Sequence, residues 1–248
     1  SDWRGAEIKA VLSQTIFANA AHIHGSLNGR LLADLDSNGW PQTGRNKALA
    51  AIRKSFSLMI GGDQHLATVI QHGIDDWNDA GYSFCVPSIV NYYNRWWWPL
   101  EPGKNRKPEQ LEMCGEFLDG FGNKLSMHAY ANPRQDNDRA AGHGIVRFNK
   151  KTRQITLECW PRNVDVTGPN AKQFPGWPIA IHQEDNYGKK AAAYLPTLEI
   201  SGLNDAVIQV VDESSNESVY TIRIKGNLWR PKVFKESSYT IHVGEGEK

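Results

Sequence analysis

"SFSLMIGGDQHLATVIQHG", residues 55–73, decides how this chain is read. A short apolar run, Phe56 to Ile60, meets two glycines and then Asp63-Gln64-His65. Such a run, bounded by a turn signal, reads as a buried strand. On an extended backbone residues i and i+2 project to the same side. Asp63 and His65 can then address one ion, or two adjacent ions, with Gln64 turned away. Gly61 and Gly62 remove side chains that would crowd such a site and permit a sharp turn. A hard carboxylate beside a borderline imidazole suits a transition-metal or mixed-metal centre. Alone the triplet is a weak signal, because short Asp-x-His sequences arise by chance in many chains.

Working outward, Ile8 to Leu12 reads as a buried strand that leaves into a polar loop at Gln14. A long connection rich in Gly and Asn follows; irregular segments of that length are usually functional or disordered. "TGRNKALAAIRKS" places apolar residues at 48, 49, 51 and 52 behind Thr43, a candidate N-cap, and predicts a helix. Strand, loop, helix and strand make an α/β unit, in which ligands gather at the carboxyl ends of strands. Gln14, Asp63 and His65 fall at such ends.

From about residue 82 the pattern turns to short strand-like runs separated by Gly, Pro and Asn. Ile145 to Trp160 reads as a hairpin about Asn149-Lys150-Lys151-Thr152. Runs between 197 and 248 suggest a small antiparallel β-sandwich module, with Gly188 to Ala193 as a linker. The expected fold class is α/β tending to β-rich. Its divisions are 1–163 as the main domain, 164–193 as a connecting segment and 194–248 as the β module.

The formal net charge of +1 provides no global field for nucleic acid or an anionic membrane. No apolar run approaches the length of a membrane span, and the start of the chain shows no basic-then-apolar leader pattern. Cys85, Cys114 and Cys159 lack CxxC spacing and read as small buried thiols. Four of the tryptophans precede proline, at 40, 98, 160 and 177, where the pair fixes an extended or turning backbone.

In order along the chain, "VLSQTIF", "DSNGWPQTGRNKALAAIRKS", "LMIGGDQHLA", "FCVPSIV" and "GHGIVRFNKKTRQITLEC" resemble the carboxyl-terminal half of the PhoD-like phosphatase/phosphodiesterase family. That family belongs to the calcineurin-type metallophosphoesterases. The resemblance covers about residues 3 to 162. The family's late Gly-Asp-x-His signature is matched by Gly62, Asp63, Gln64 and His65. Its Trp-Asp-Gly-Tyr-Pro-like loop and Arg-bearing helix look like Asn38-Gly39-Trp40-Pro41 and Arg45, with Asn38 standing where the family has Asp.

The resemblance implies part of an αββα metallophosphoesterase sandwich. It also implies a phosphate ester substrate and an extracytoplasmic location, periplasmic or secreted. Asp63 and His65 inherit the role of ligands to divalent or trivalent metal ions, with Fe, Zn, Mn or Ca as candidates. Gln14, His24, Asn38 and Arg45 are candidates for substrate contact or for holding a ligand in place. The family's earlier Asp-rich motifs have no counterpart before Asp63. The chain is therefore expected to need an amino-terminal companion segment, or self-association, and to be inactive by itself. A sheet edge and apolar surface should then lie exposed.

His22-Ile23-His24 repeats the i, i+2 logic, against a plain hydrogen-bonding role. Asp36 is a loop carboxylate that reads as a turn-former before a site residue. "NRWWWPLEPG", from Asn94, reads either as a stacking platform for a sugar or base, with Arg95 adding charge, or as a loop clamped to the core by Trp96 and Trp98. The first of these sustains an alternative function: a non-catalytic β-rich protein that recognises a polysaccharide or a partner through its Trp-rich loops.

Overall fold

The computed structural model describes residues 2–90, 93–135, 138 and 140–245. In chain order it contains β1 (Ala10–Leu12), β2 (Ile23–His24), α1 (Gln42–Arg53), β3 (Leu58–Gly61), β4 (Ala67–His72), β5 (Tyr82–Cys85), β6 (Arg95–Trp96), β7 (Gly115–Leu118) and β8 (Lys124–Ala131). The main sheet runs β1-β3-β5-β4-β8-β7. Its first three strands are parallel, with Ala10 opposite Leu58 and Met59 opposite Ser83. From β5 onward neighbours pair antiparallel. The fold is strand-rich, with a mixed main sheet and small antiparallel ones.

β4 was not anticipated from the sequence, yet every one of its residues is buried. Strand periodicity explains this: Ile70 joins the cluster of Leu66, Trp97, Leu125 and Met127, whereas Val69 faces the opposite cluster with Phe84 and Ala129. A strand covered on both faces has no polar side to betray its period. The second cluster is closed by Ile155, Leu157 and Cys159 from a further antiparallel sheet. That sheet comprises β9 (Gly142–Phe148), β10 (Gln154–Pro161) and β11 (Ile179–His182), in the order β11-β10-β9. Two sheets thus face each other across one apolar layer, a β-sandwich-like arrangement. The hairpin turns at Asn149, whose Oδ1 accepts from the Lys151 and Thr152 amides.

α1 packs Leu49 against Met59 of β3. It begins at Gln42 after Pro41, without a side-chain cap, so Thr43 lies inside the first turn. β1 is shorter than the expected Ile8 to Leu12, and it is not the buried strand expected there: Ala10 and Leu12 are exposed, because β1 is the edge of the sheet.

The last fifth of the chain holds β12 (Ala193–Tyr194), β13 (Leu198–Glu199), β14 (Val207–Asp212), β15 (Glu217–Arg223), β16 (Leu228–Trp229), β17 (Lys232–Val233) and β18 (Tyr239–Val243). They form the three-stranded sheet β15-β14-β18 and the pairs β12-β17 and β13-β16. Their core is shared with the main body: Phe56 and Tyr187 pack among Ile208, Val210 and Tyr220, and Tyr187 stacks on Phe234 at 4.2 Å. Gly188, expected in a linker, sits at φ +79 so close to Ala80 that an added Cβ would fall 2.4 Å from its backbone. That close approach requires glycine and fastens the segment. Arg153 donates to the Ile224 carbonyl and Arg223 to those of Trp3 and Ala6, tying both ends of the chain together.

Candidate functional site

The carboxyl ends of β1, β3 and β5 lie side by side. The Ser13 amide donates to Ile60, the Gly62 amide to the Gln14 carbonyl and the Val86 amide to Gly61, all within 3.1 Å. Gln14 and Asn38 are exposed on this rim. Asn38 donates from its backbone to Ile16 and lies 3.4 Å from the Ser13 hydroxyl.

The Gly-Asp-Gln-His turn does not continue the extended backbone assumed from the sequence. Asp63 has φ +61 and His65 φ +51. Left-handed residues other than glycine are uncommon, with Asp and His among the enriched types; they concentrate at functional sites. The glycines play other parts than expected. Neither adopts positive φ; a Cβ on Gly61 would press on Ile16 at 3.1 Å, whereas one on Gly62 would meet nothing nearer than 3.8 Å. The sharp bend is made by Asp63 and His65 themselves.

Between them Gln64 is fully buried, and its Nε2 donates to the Thr15 hydroxyl at 2.8 Å, with the Asp36 carbonyl at 3.4 Å. This inward anchor turns the flanking residues toward the surface: Asp63 is exposed and His65 half-buried. His65 Nδ1 lies 3.1 Å from the Tyr93 carbonyl oxygen. A carbonyl can only accept, so Nδ1 is the donor in this contact.

Around this turn gathers a group that the sequence reading left unconnected. Arg95, 6 % exposed, donates from Nη1 to Asp34 at 3.1 Å and from Nη2 to Asp36 at 3.0 Å. His24 Nε2 lies 3.3 Å from the Ala21 carbonyl and 3.7 Å from the Asp34 carboxylate. Burial, and then the Arg95 charge, hold the His24 imidazole below its ordinary pKa. The Tyr93 ring meets His24 and His65 edge-on at 6.4 and 6.0 Å, and the Arg95 guanidinium lies 5.7 Å from it. Asp34, Tyr93 and Arg95 were missed as a set. The available signal was an arginine inside an aromatic run, which, if buried, must find carboxylates; which carboxylates was not local information, since Asp34 lies 61 residues away.

Arg45 belongs to the interior instead. Its guanidinium donates to the carbonyls of Phe17 at 2.9 Å and Gly73 at 2.6 Å, and burial lowers its pKa to about 10. His22 is buried and stacked on Trp97 at 4.6 Å, and burial pushes its pKa down to about 4. Cys85, beside the turn, is a buried thiol pushed up to about 12 that contacts the Gly62 carbonyl through sulfur. The tryptophan run is clamped by Trp96 and Trp97, each 1 % exposed and donating to the Pro133 and Met113 carbonyls; Trp98 is 45 % exposed. Two of the three rings therefore cannot serve as a stacking platform.

Among the described residues no group of three or more His, Cys, Asp or Glu side chains gathers as a metal cage. Cavities of about 660 and 240 Å³ lie against the carboxyl-terminal strands, lined in part by Arg4 and His242 and by Arg153 and Gln183, away from the turn. No helix is long and apolar enough to cross a membrane among the described residues. Comparison with protein-family models, with curated proteins and with solved structures returned no match.

Proposed function

We propose that this chain forms part of a metal-dependent phosphoric ester hydrolase of the PhoD-like type, with Asp63 and His65 as two of its metal ligands. The observation that supports this most is the turn itself. It follows the middle of three parallel strands, holds both residues left-handed, and anchors His65 through Nδ1, as metal-binding histidines are usually anchored on a carbonyl or carboxylate. A carboxylate oxygen and an imidazole Nε2 fit Fe, Zn, Mn or Ca in different degrees, and two donors make an incomplete shell.

We assign the remaining ligands to an amino-terminal companion segment or to a second copy of the chain. The main sheet supports such an addition. Its β7 edge is covered by paired amides and carbonyls of Lys104 and Glu116, whereas β1 is an edge strand whose Leu12 is 79 % exposed. When bound, the metal ions supply Lewis-acid contact to the phosphoryl oxygens and a hydroxide at neutral pH. The chain's own part is to hold Asp63 outward through buried Gln64 and to keep the His65 proton on Nδ1. Gln14 and Asn38, on the same rim, are the side chains we assign to phosphoryl contact, and His24 is assigned a supporting role beside Tyr93. A periplasmic or secreted location goes with this reading.

Metal content and hydrolysis of a chromogenic phosphodiester by the whole protein, compared with Asp63→Ala and His65→Ala, test it. Loss of both metal and turnover is expected. Unchanged metal content and activity in the two variants would reject the assignment.

A further inference from the structure

We infer that the cavity of about 240 Å³ between the Asn149 hairpin turn and the carboxyl-terminal strands is a binding site for a phosphate group. It shares no lining residue with the Gly-Asp-Gln-His turn, and the inference is independent of the roles proposed for Asp63 and His65.

One wall is Gln183, the first residue of the short 3₁₀ turn Gln183–Tyr187 that follows β11. Gln183 is 1 % exposed, and neither its amide oxygen nor its amide nitrogen has a partner among the described residues. Exchanging the two atoms would not help, since both are unpaired. A buried amide left so costs the fold stability. The segment is held by other means, because the Gln183 backbone amide donates to the Arg153 carbonyl at 2.9 Å. The side-chain atoms have no surface open to water, so they must rotate toward the cavity as an ion enters. No hydrogen bond ties them back.

Arg153 forms a second wall. It is buried at φ +60, donates from Nη1 to the Glu7 carbonyl and from Nη2 to the Ile224 carbonyl, and leaves Nε unpaired. Left-handed residues other than glycine concentrate at functional sites. Lys151, Arg223 and Lys225 add positive charge, and Glu184 is the one carboxylate among the described residues that line the cavity. Glu184 is engaged by Lys232 at 2.7 Å. Arg223 and Lys225 pair with Glu245 and Asp205, whereas Lys151 meets no carboxylate among the described residues.

These groups define the ligand. The Gln183 amide nitrogen and the Lys151 ammonium donate beside the fixed Arg153 charge, which calls for an anion rich in acceptors. The Gln183 amide oxygen can only accept, so the same ligand must carry an O–H. Sulfate and carboxylates have no proton to give at neutral pH. A phosphate group, whose last proton leaves near neutrality, has one. The volume suits a small ion: a bridging water needs only about 10–15 Å³, and drug-sized ligands occupy about 300–1,000 Å³.

The test is calorimetric titration of the whole chain with inorganic phosphate, sulfate and acetate at about pH 7 and low ionic strength. The parent should bind phosphate at least about tenfold more tightly than sulfate or acetate. Gln183→Met keeps the volume and removes both unpaired atoms. It should raise the melting temperature of the phosphate-free protein and abolish the preference for phosphate over sulfate. Lys151→Ala, at an exposed side chain, should weaken binding of both ions about threefold and leave that preference intact. Methylphosphonate distinguishes the sources: binding as tight as phosphate marks a site for phosphate esters, and its exclusion marks one for the free ion.

Absence of phosphate binding, equal binding of phosphate and sulfate by the parent, or undiminished binding by Gln183→Met overturns the inference. A glutamine satisfied by an internal water would instead give a lower melting temperature in Gln183→Met, with no phosphate bound by the parent. If that variant does not fold, Lys151→Ala and the parent's ion preference decide. Asp63→Ala should bind phosphate as the parent does. Loss of binding there, with Lys151→Ala unchanged, would move the ion to the turn and sink this site while leaving the hydrolase reading standing.

Discussion

Replacing Asp63 by glycine and, separately, by alanine isolates the cost of its left-handed backbone. At φ +61 an L-residue with a Cβ loses roughly 1–2 kcal/mol to steric crowding. Glycine escapes that penalty but gives up about 0.5–1 kcal/mol through its freer unfolded chain. The Asp63 side chain is exposed, so truncation removes little packing, and the two variants differ mainly in backbone. The glycine variant should be the more stable of the two by about 0.5–1 kcal/mol. Ala51, exposed within α1, supplies the control. There Ala→Gly should lose about 1 kcal/mol, so the glycine-minus-alanine difference changes sign between positions 51 and 63. Urea unfolding at equilibrium, with a common m-value, reads both. Should alanine at position 63 prove as stable as glycine or more so, the turn is not held left-handed, and the account of how it presents Asp63 collapses.

Arg45→Met should destabilise by about 3 kcal/mol, since it orphans the buried Phe17 and Gly73 carbonyls, while metal content stays unchanged; a parallel loss of metal at constant folding would restore Arg45 to the site. Trp97→Ala should lose about 3–5 kcal/mol in urea melts, whereas Trp98→Ala should stay within about 0.5 kcal/mol. Comparable losses would contradict the burial of one ring and the exposure of the other. His22 and His128 are both pushed to about 4 by burial. Unfolded chains take up protons at these histidines below about pH 6.5 and the folded protein does not until about pH 4. Stability should therefore fall as pH drops from about 6.5 to 4, by about 1.4 kcal/mol per pH unit for each histidine, and be flat above that window. Unfolding free energies measured across pH 4–8 should show the slope, reduced in His128→Gln.

What could be read from residue order is what local sterics dictate. The apolar run before Gly61, the helix over the period at 48–52 and the hairpin at Asn149 each follow from side-chain period or turn chemistry within a few residues. All three thiols are buried, as the absence of CxxC spacing led one to expect. The position of Asp63 and His65 at a strand end was legible from the same local sterics. Their backbone was not: two left-handed residues around a buried glutamine arise because Thr15 and the 36 carbonyl hold Gln64 from outside the turn. Likewise no local pattern tells Arg95 to seek Asp34, 61 residues away, or Phe56 and Tyr187 to complete the core of the last strands. Those choices belong to tertiary structure, because a buried charge or a half-covered ring is stable only beside one particular partner, and the chain brings that partner near only after its strands have paired.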